Sequence, residues 1–152
     1  MTGTSAIRPA READVPVVVS LVRELAEYER EPDAAEATEA DLRAALFGPA
    51  PAAFCHVADL DGEVVGFALW FLNFSTWKGR HGIYLEDLFV RPSARGSGLG
   101  KALLTTLVDI AKDRGYGRVE WSVLDWNEPA QGFYRSLGAT PMDEWTTWRI
   151  SL

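Results

Sequence analysis

Arg95-Gly96-Ser97-Gly98-Leu99-Gly100-Lys101 follows an apolar run from Gly82 to Val90 that is broken at Arg91-Pro92, and it opens a stripe of Leu99, Leu103, Leu107 and Ala111 at the helical period. The segment therefore reads as a strand-to-helix turn. Glycines at such a turn let backbone N–H groups converge on an anion at the positive end of the helix, so a phosphate is the natural ligand. Spacing excludes two common phosphate loops. A P-loop needs Gly where Arg95 stands and Ser or Thr where Ala102 stands, and the dinucleotide fingerprint needs its third Gly at Lys101. On the glycines alone, a purely structural tight turn remains the alternative.

Beyond the helix, which stops near Gly115, Arg118 to Leu124 is again strand-like, so residues 82–124 read as a β-α-β crossover with parallel strands. Upstream, Phe54 to Leu60 and Glu63 to Phe74 flank Asp61-Gly62, the strongest two-residue hairpin signal, and predict an antiparallel pair. Ser5 to Arg8 reads as a short strand ended by Pro9. Asp14 is placed to cap a helix that carries Val18, Leu21, Val22 and Leu25 on one face, and Leu42 to Phe47 predicts a second, short helix. Asn127 caps a further helix with Glu128 and Pro129 in its first turn and Gly138 at its end, and Trp145 to Ser151 predicts a closing strand. The expectation is one α/β domain over residues 1–152.

Composition narrows the function. The chain has 152 residues, 47% hydrophobic and 24% charged, with no apolar run near the ~18 residues of a membrane span. Met1-Thr2-Gly3-Thr4-Ser5-Ala6 lacks the features of a secretory leader, so a cytoplasmic protein without membrane association is expected. Cys55, the one cysteine, sits in an alternating apolar stretch and reads as a buried thiol; His56 and His81 share no ligand spacing, so no metal is expected. The net charge is −7, and residues 1–64 hold 13 acids against 5 bases, a local balance of −8 that argues against a nucleic-acid partner. Seven acids between Glu27 and Asp41 face the single Arg30, which reads either as attraction for a cation or as a solvated helix end and loop.

Arg95-x-x-Gly98-x-Gly100, preceded by Leu88-Phe89-Val90 and followed by Trp126-Asn127 and Phe133-Tyr134-x-x-x-Gly138, resembles the GNAT superfamily of acetyl-CoA-dependent N-acetyltransferases. The resemblance implies the GNAT fold: a mixed, twisted central sheet flanked by about four helices. A closer likeness runs through Glu24-Leu25-Ala26-Glu27-Tyr28-Glu29, Ser75-Thr76-Trp77-Lys78-Gly79-Arg80, Tyr84-Leu85-Glu86-Asp87-Leu88-Phe89-Val90 and Val123-Leu124-Asp125-Trp126-Asn127. These runs resemble the diamine (spermidine/spermine) acetyltransferases. Ser75-Thr76 departs from the Asp-Pro of the polyamine-acting members, and with Lys78 it is similar to the thialysine-acetylating branch.

The resemblance implies that the amides of Arg95, Gly96, Ser97, Gly98, Leu99, Gly100 and Lys101 cradle the pyrophosphate of acetyl-CoA, while the backbone of Leu88, Phe89 and Val90 pairs with its pantetheine arm. It implies Glu86 as the base and Tyr134 as the acid that protonates the departing thiolate, with Asn127 a helix cap, a cofactor contact or both. Tyr28, Glu29, Trp77, Glu86 and Asp87 match substrate positions, and an aromatic wall with carboxylates suits a small cationic amine. Trp77 reads equally as packing. Strand alternation sends Glu86 and Asp87 to opposite faces unless the strand is irregular or one of them serves a neighbouring subunit. A homodimer is implied by the family. The alternatives are an acetyltransferase for another amino acid, a protein lysine or an N-terminus, and a CoA-binding module without turnover.

Overall fold

Asp61 and Gly62 both have positive φ, 54° and 85°, the conformation that a two-residue hairpin turn demands. They join β2 (Phe54–Leu60) to β3 (Glu63–Ser75), and the turn is pinned by Gly62 N–H donating to Asp59 Oδ1 at 2.8 Å. In the computed structural model, which describes residues 4–152, the chain forms two compact units, one ending at Trp121 and the other Ser122–Leu152. Met1, Thr2 and Gly3, the start of the N-terminal segment read above, lie outside the described residues.

The first unit is built on a five-stranded sheet. β1 (Ser5–Pro9), β2, β3 and β4 (Arg80–Val90) pair antiparallel in chain order, and β5 (Val119–Trp121) pairs parallel to β4. This is the mixed sheet expected, with α1 (Val15–Tyr28), α2 (Glu39–Phe47) and α3 (Leu99–Asp113) in the same unit and α4 (Glu128–Ser136) in the second. One face packs on α1 and α2: Val15, Val18, Val19, Leu21, Leu25, Leu42 and Leu46 form a single buried cluster with Cys55, Val57, Phe67 and Phe89. The other face takes α3, whose stripe of Leu99, Leu103, Leu107 and Ala111 is buried, as the period predicts. No helix among the described residues is long and apolar enough to cross a membrane.

Four expectations change in detail. Asp14 precedes α1 but does not cap it; its carboxylate accepts both Arg8 guanidinium N–H groups, at 2.7 and 3.1 Å, and the Arg11 N–H at 2.7 Å. A charged bidentate donor is the stronger partner for a buried carboxylate than a helix amide. Helix α2 begins three residues before Leu42, because Thr38 and Asp41 form a reciprocal capping box. Strand β5 is shorter than Arg118 to Leu124, ending at Trp121. Among the described residues of the second unit no strand forms at 145–151: α4 is its regular element, so β propensity there finds no neighbour to complete a ladder. Trp148 and Ile150 are accordingly exposed. Helix α4 does match, with Asn127 Oδ1 accepting the Ala130 N–H and Gly138 at φ 88° behind its last turn.

Candidate active site

The decisive local irregularity is in β4. Leu69 of β3 pairs with Asp87 and Trp70 pairs with Leu85, so Glu86 is an extra residue, a β-bulge. Leu69 and Trp70 point to opposite faces, hence so do Asp87 and Leu85. Asp87 is half-buried, opposite Leu69 on the face that packs on α1, whereas the bulged Glu86 is exposed beside it; the strand is irregular at this pair, one of the exceptions to alternation named above.

Glu29 sits at the C-cap of α1, and its carboxyl is raised above its usual range by burial. Asp87 is pushed up to about 6, first by burial, then by the charge of Glu86, then by that of Glu29. Three of the expected substrate residues are therefore close enough to feel one another. The charges of Glu86 and Glu29 penalise ionisation of Asp87, and an alkylammonium placed beside it would relieve that penalty.

The bulge coincides with a split in the sheet. The parallel ladder to β5 covers Ile83, Tyr84 and Leu85 only, so from Glu86 to Val90 the second edge of β4 is left open by β5. An extended amide-bearing chain can add to such an edge as a half-strand. Phe89 and Val90 are buried and Leu88 partly so, so this edge offers backbone rather than side chains.

After Val90 the chain makes a 3-10 turn at Pro92–Ala94 and two left-handed glycine joints, Gly96 at φ 84° and Gly98 at φ 80°. Ser97 Oγ donates to Ala94 O, tightening the turn. The first backbone bond of α3 runs from Ala102 N–H to Gly98 O, so the amides of Leu99, Gly100 and Lys101 precede the helical ladder and point out of its N-terminus. A Cβ at Gly96 or Gly98 would meet nothing within 4 Å, and one at Gly100 would lie 3.9 Å from Val90 Cγ2. The approach to these amides is open, and the donor set fits a pyrophosphate.

Arg95 does not reach outward with them. Its Nε donates to Val90 O at 3.0 Å, and its guanidinium lies over the rings of Tyr28 and Phe89, 5.1 and 5.6 Å from their centroids. Beside it, Arg91 grips Glu24 of α1 through three bonds of 3.0–3.2 Å. Sequence reading missed both links, since neither has a local signal.

Trp77 is not brought to the carboxylates. It sits in the β3–β4 connection, 86% exposed, and the six residue steps of strand from Arg80 to Glu86 span about 20 Å. There Ser75 Oγ accepts the Lys78 N–H at 3.2 Å, and the Lys78 stem lies over Gly117. Lys78 is thus equally remote from the acids within one chain. Asn127 and Tyr134 belong to the second unit, where Asn127 caps α4 and the Tyr134 ring lies 5.4 Å from that of Phe133. Cys55 is buried and its thiol is pushed up to about 12, chiefly by burial, so it is no nucleophile at neutral pH.

An open half-ladder beside a glycine turn and a group of carboxylates is an arrangement suited to a group-transfer enzyme. Residues 18–139 match the model of the acetyltransferase (GNAT) family, and the chain belongs to that family and is an acetyltransferase by class. It is 41% identical to the thialysine N-epsilon-acetyltransferase of Bos taurus, over 93% of this chain and 88% of that one. It is 32% identical to the L-ornithine N5-acetyltransferase of Arabidopsis thaliana, over 97% and 84%. Among solved structures it is similar to an integron cassette protein from the mobile metagenome of V. cholerae, with TM-score 0.80, 30% identity, and 97% and 92% of the two chains covered.

Proposed function

We propose that this protein moves the acetyl group of acetyl-CoA directly to the terminal primary amine of a small cationic metabolite, an aminoalkyl amino acid such as thialysine or ornithine or a short diamine. The observation that carries the reading is that the β4 bulge and the opening of the β4–β5 ladder fall at the same residue, Glu86, so the acid cluster stands where the half-strand site begins. Relatives that act on thialysine and ornithine support the acceptor class.

Acetyl-CoA, when bound, supplies the acyl group as an activated thioester. The amides of Arg95 to Lys101 hold the pyrophosphate, and the open backbone of Leu88, Phe89 and Val90 holds the pantetheine amides. Asp87 and Glu29 bind the ammonium end of the acceptor. An alkylammonium with pKa about 10.4 is mostly protonated at pH 7, so Glu86 takes up the proton that frees the nitrogen lone pair. The nitrogen–carbon bond forms as the carbon–sulfur bond breaks, and the phenol of Tyr134 gives its proton to the departing sulfur. Asn127 holds the start of α4 and contacts the cofactor. We further read the protein as one cytoplasmic GNAT domain that acts as a homodimer, to which the exposed Trp148 and Ile150 lend apolar surface, and that takes neither nucleic acid nor membrane as a partner.

The test is initial-rate release of CoA across thialysine, ornithine, lysine, putrescine, spermidine and spermine. The expected order has the aminoalkyl amino acids and short diamines above spermine in kcat/KM. A higher kcat/KM for spermine than for thialysine overturns the acceptor assignment, and no CoA release with any amine overturns the enzyme reading in favour of a CoA-binding module. Gly100→Val, at the one turn glycine here that needs no positive φ, is expected to weaken acetyl-CoA binding while the protein stays folded.

A further inference from the structure

We propose that Tyr28 is a positioning residue for the cofactor turn, and not part of the acceptor wall that the family resemblance implies. Glu24 and Tyr28 are one helical turn apart on the same stripe of α1. Arg91 and Arg95 are four residues apart around the 3-10 turn that leads into the glycines. Each residue of the first pair holds one of the second: Glu24 binds Arg91 as a bidentate ion pair, and the Tyr28 ring lies under the Arg95 guanidinium. These two rungs fasten the last two turns of α1 to the entrance of the glycine segment.

The need for the second rung follows from the backbone. Arg95 is the last residue in an ordinary extended conformation before Gly96 and Gly98 take φ 84° and 80°. Two glycine joints in three residues leave the turn many alternatives, and fixing Arg95 sets where and in which direction it starts. The guanidinium does so by bonding Val90 O while resting on Tyr28 and Phe89, a site that an ammonium could not fill in the same way. Tyr28 therefore acts on the cofactor side through Arg95, and its neighbour Glu29 acts on the amine side through Asp87. The end of one helix carries the two halves of the site on consecutive residues.

This inference rests on the reading that acetyl-CoA occupies the turn, and the experiment separates the two. Acetyl-CoA binding is measured by calorimetry, and KM for each substrate by initial rates, for wild type, Tyr28→Ala, Tyr28→Phe, Glu29→Gln, Arg95→Ala and the Tyr28→Ala/Arg95→Ala pair. Tyr28→Ala is expected to raise Kd and KM for acetyl-CoA about 3- to 30-fold, the range of a cation–π contact. The amine KM should stay within about twofold, whereas Glu29→Gln should show the reverse split. Tyr28→Phe keeps the ring and should recover most of the acetyl-CoA affinity lost in Tyr28→Ala. The double variant should be no worse than Arg95→Ala, because the tyrosine then has nothing to hold. Tyr28 is 39% exposed, so thermal unfolding checks that each variant is folded. A raised amine KM with unchanged acetyl-CoA Kd in Tyr28→Ala overturns the inference and leaves the turn's assignment standing. A folded wild type that binds no acetyl-CoA overturns both.

Discussion

Beside the two ends of α1, about 21 Å apart by helical rise, two carboxylates sit with opposite results: Asp14 just before the helix and Asp87 of β4 near its end. At the N-terminal end Asp14 is buried, yet it is held below the usual carboxylate range, because the hydrogen bonds from Arg8 outweigh the cost of burial. At the C-terminal end Asp87 is pushed up to about 6, because the groups acting on it with burial are two more carboxylates, Glu86 and Glu29. The negative end of the helix dipole adds to the strain there. The chain supplies its own cation to Asp14, and under the proposed function the acceptor supplies one to Asp87. Burial of an acid is thus not in itself a sign of function; burial among other acids, beside an open strand edge, is.

Breaking the proton transfers at the open end should have the largest effect. Glu86→Gln is expected to lower kcat about 10²–10⁴-fold at neutral pH, with partial rescue as rising pH supplies free amine, and Tyr134→Phe should lower kcat by a similar factor with acetyl-CoA affinity near wild type. Profiles of kcat against pH check both. Identical profiles for wild type and Glu86→Gln would make Glu86 a surface carboxylate.

Breaking the closed end should cost stability and not chemistry. Asp14→Asn removes the counter-charge of Arg8, which keeps only Asp59 at 3.4 Å, and should destabilise by about 2–3 kcal/mol, near the lower end for a buried pair. Folded enzyme should turn over normally, as rates normalised to native fraction will show. The sign in pH follows from the depressed pKa. The ion pair contributes fully above the ordinary aspartate pKa and is lost as pH falls through the lower, folded value, so urea midpoints of wild type and variant should converge in acid.

Asp87→Asn sharpens the comparison because it should move stability the other way. A carboxyl raised from 3.8 to about 6 destabilises the fold increasingly from about pH 4 to 6 and fully above, so its removal should stabilise by on the order of 2 kcal/mol at pH 7.5 and by nothing below pH 4. The same variant should raise the amine KM about tenfold with kcat little changed, as loss of a charge-assisted contact predicts. Denaturant melts across pH, paired with kinetics, measure both. A variant that is less stable at pH 7.5 would mean that Asp87 is satisfied within the fold, and the contrast between the two ends would fail.

Much of this protein was legible before any coordinates, because the signals concerned are local. The signs of φ at Asp61-Gly62, Gly96 and Gly98, the stripe of Leu99, Leu103 and Leu107, and the Asn127 cap each depend on residues within a turn or two of one another. So did the position of the glycine turn, whereas the choice of Glu86, Asp87 and Glu29 as the acids to watch came from the family resemblance. The failures share a different cause. Asp14 chose Arg8 over the helix it precedes, and 145–151 stayed without a strand for want of a neighbouring ladder; both outcomes turn on which partner is available, which no local pattern records.

The same reason divides the site. Sequence alone determined the order of strands and helices as far as α4, the glycine turn and the buried thiol, since each is set by side-chain type and spacing along the chain, and the family resemblance pointed to the acids. Tertiary structure decided that Glu86 is the bulged, exposed residue beside a half-buried Asp87, that the β5 ladder stops where that bulge begins, and that Tyr28 lies under Arg95, 67 residues away. Those facts depend on register and on contacts between distant segments, where one residue of slip exchanges the faces of a strand and turns a surface acid into a buried one.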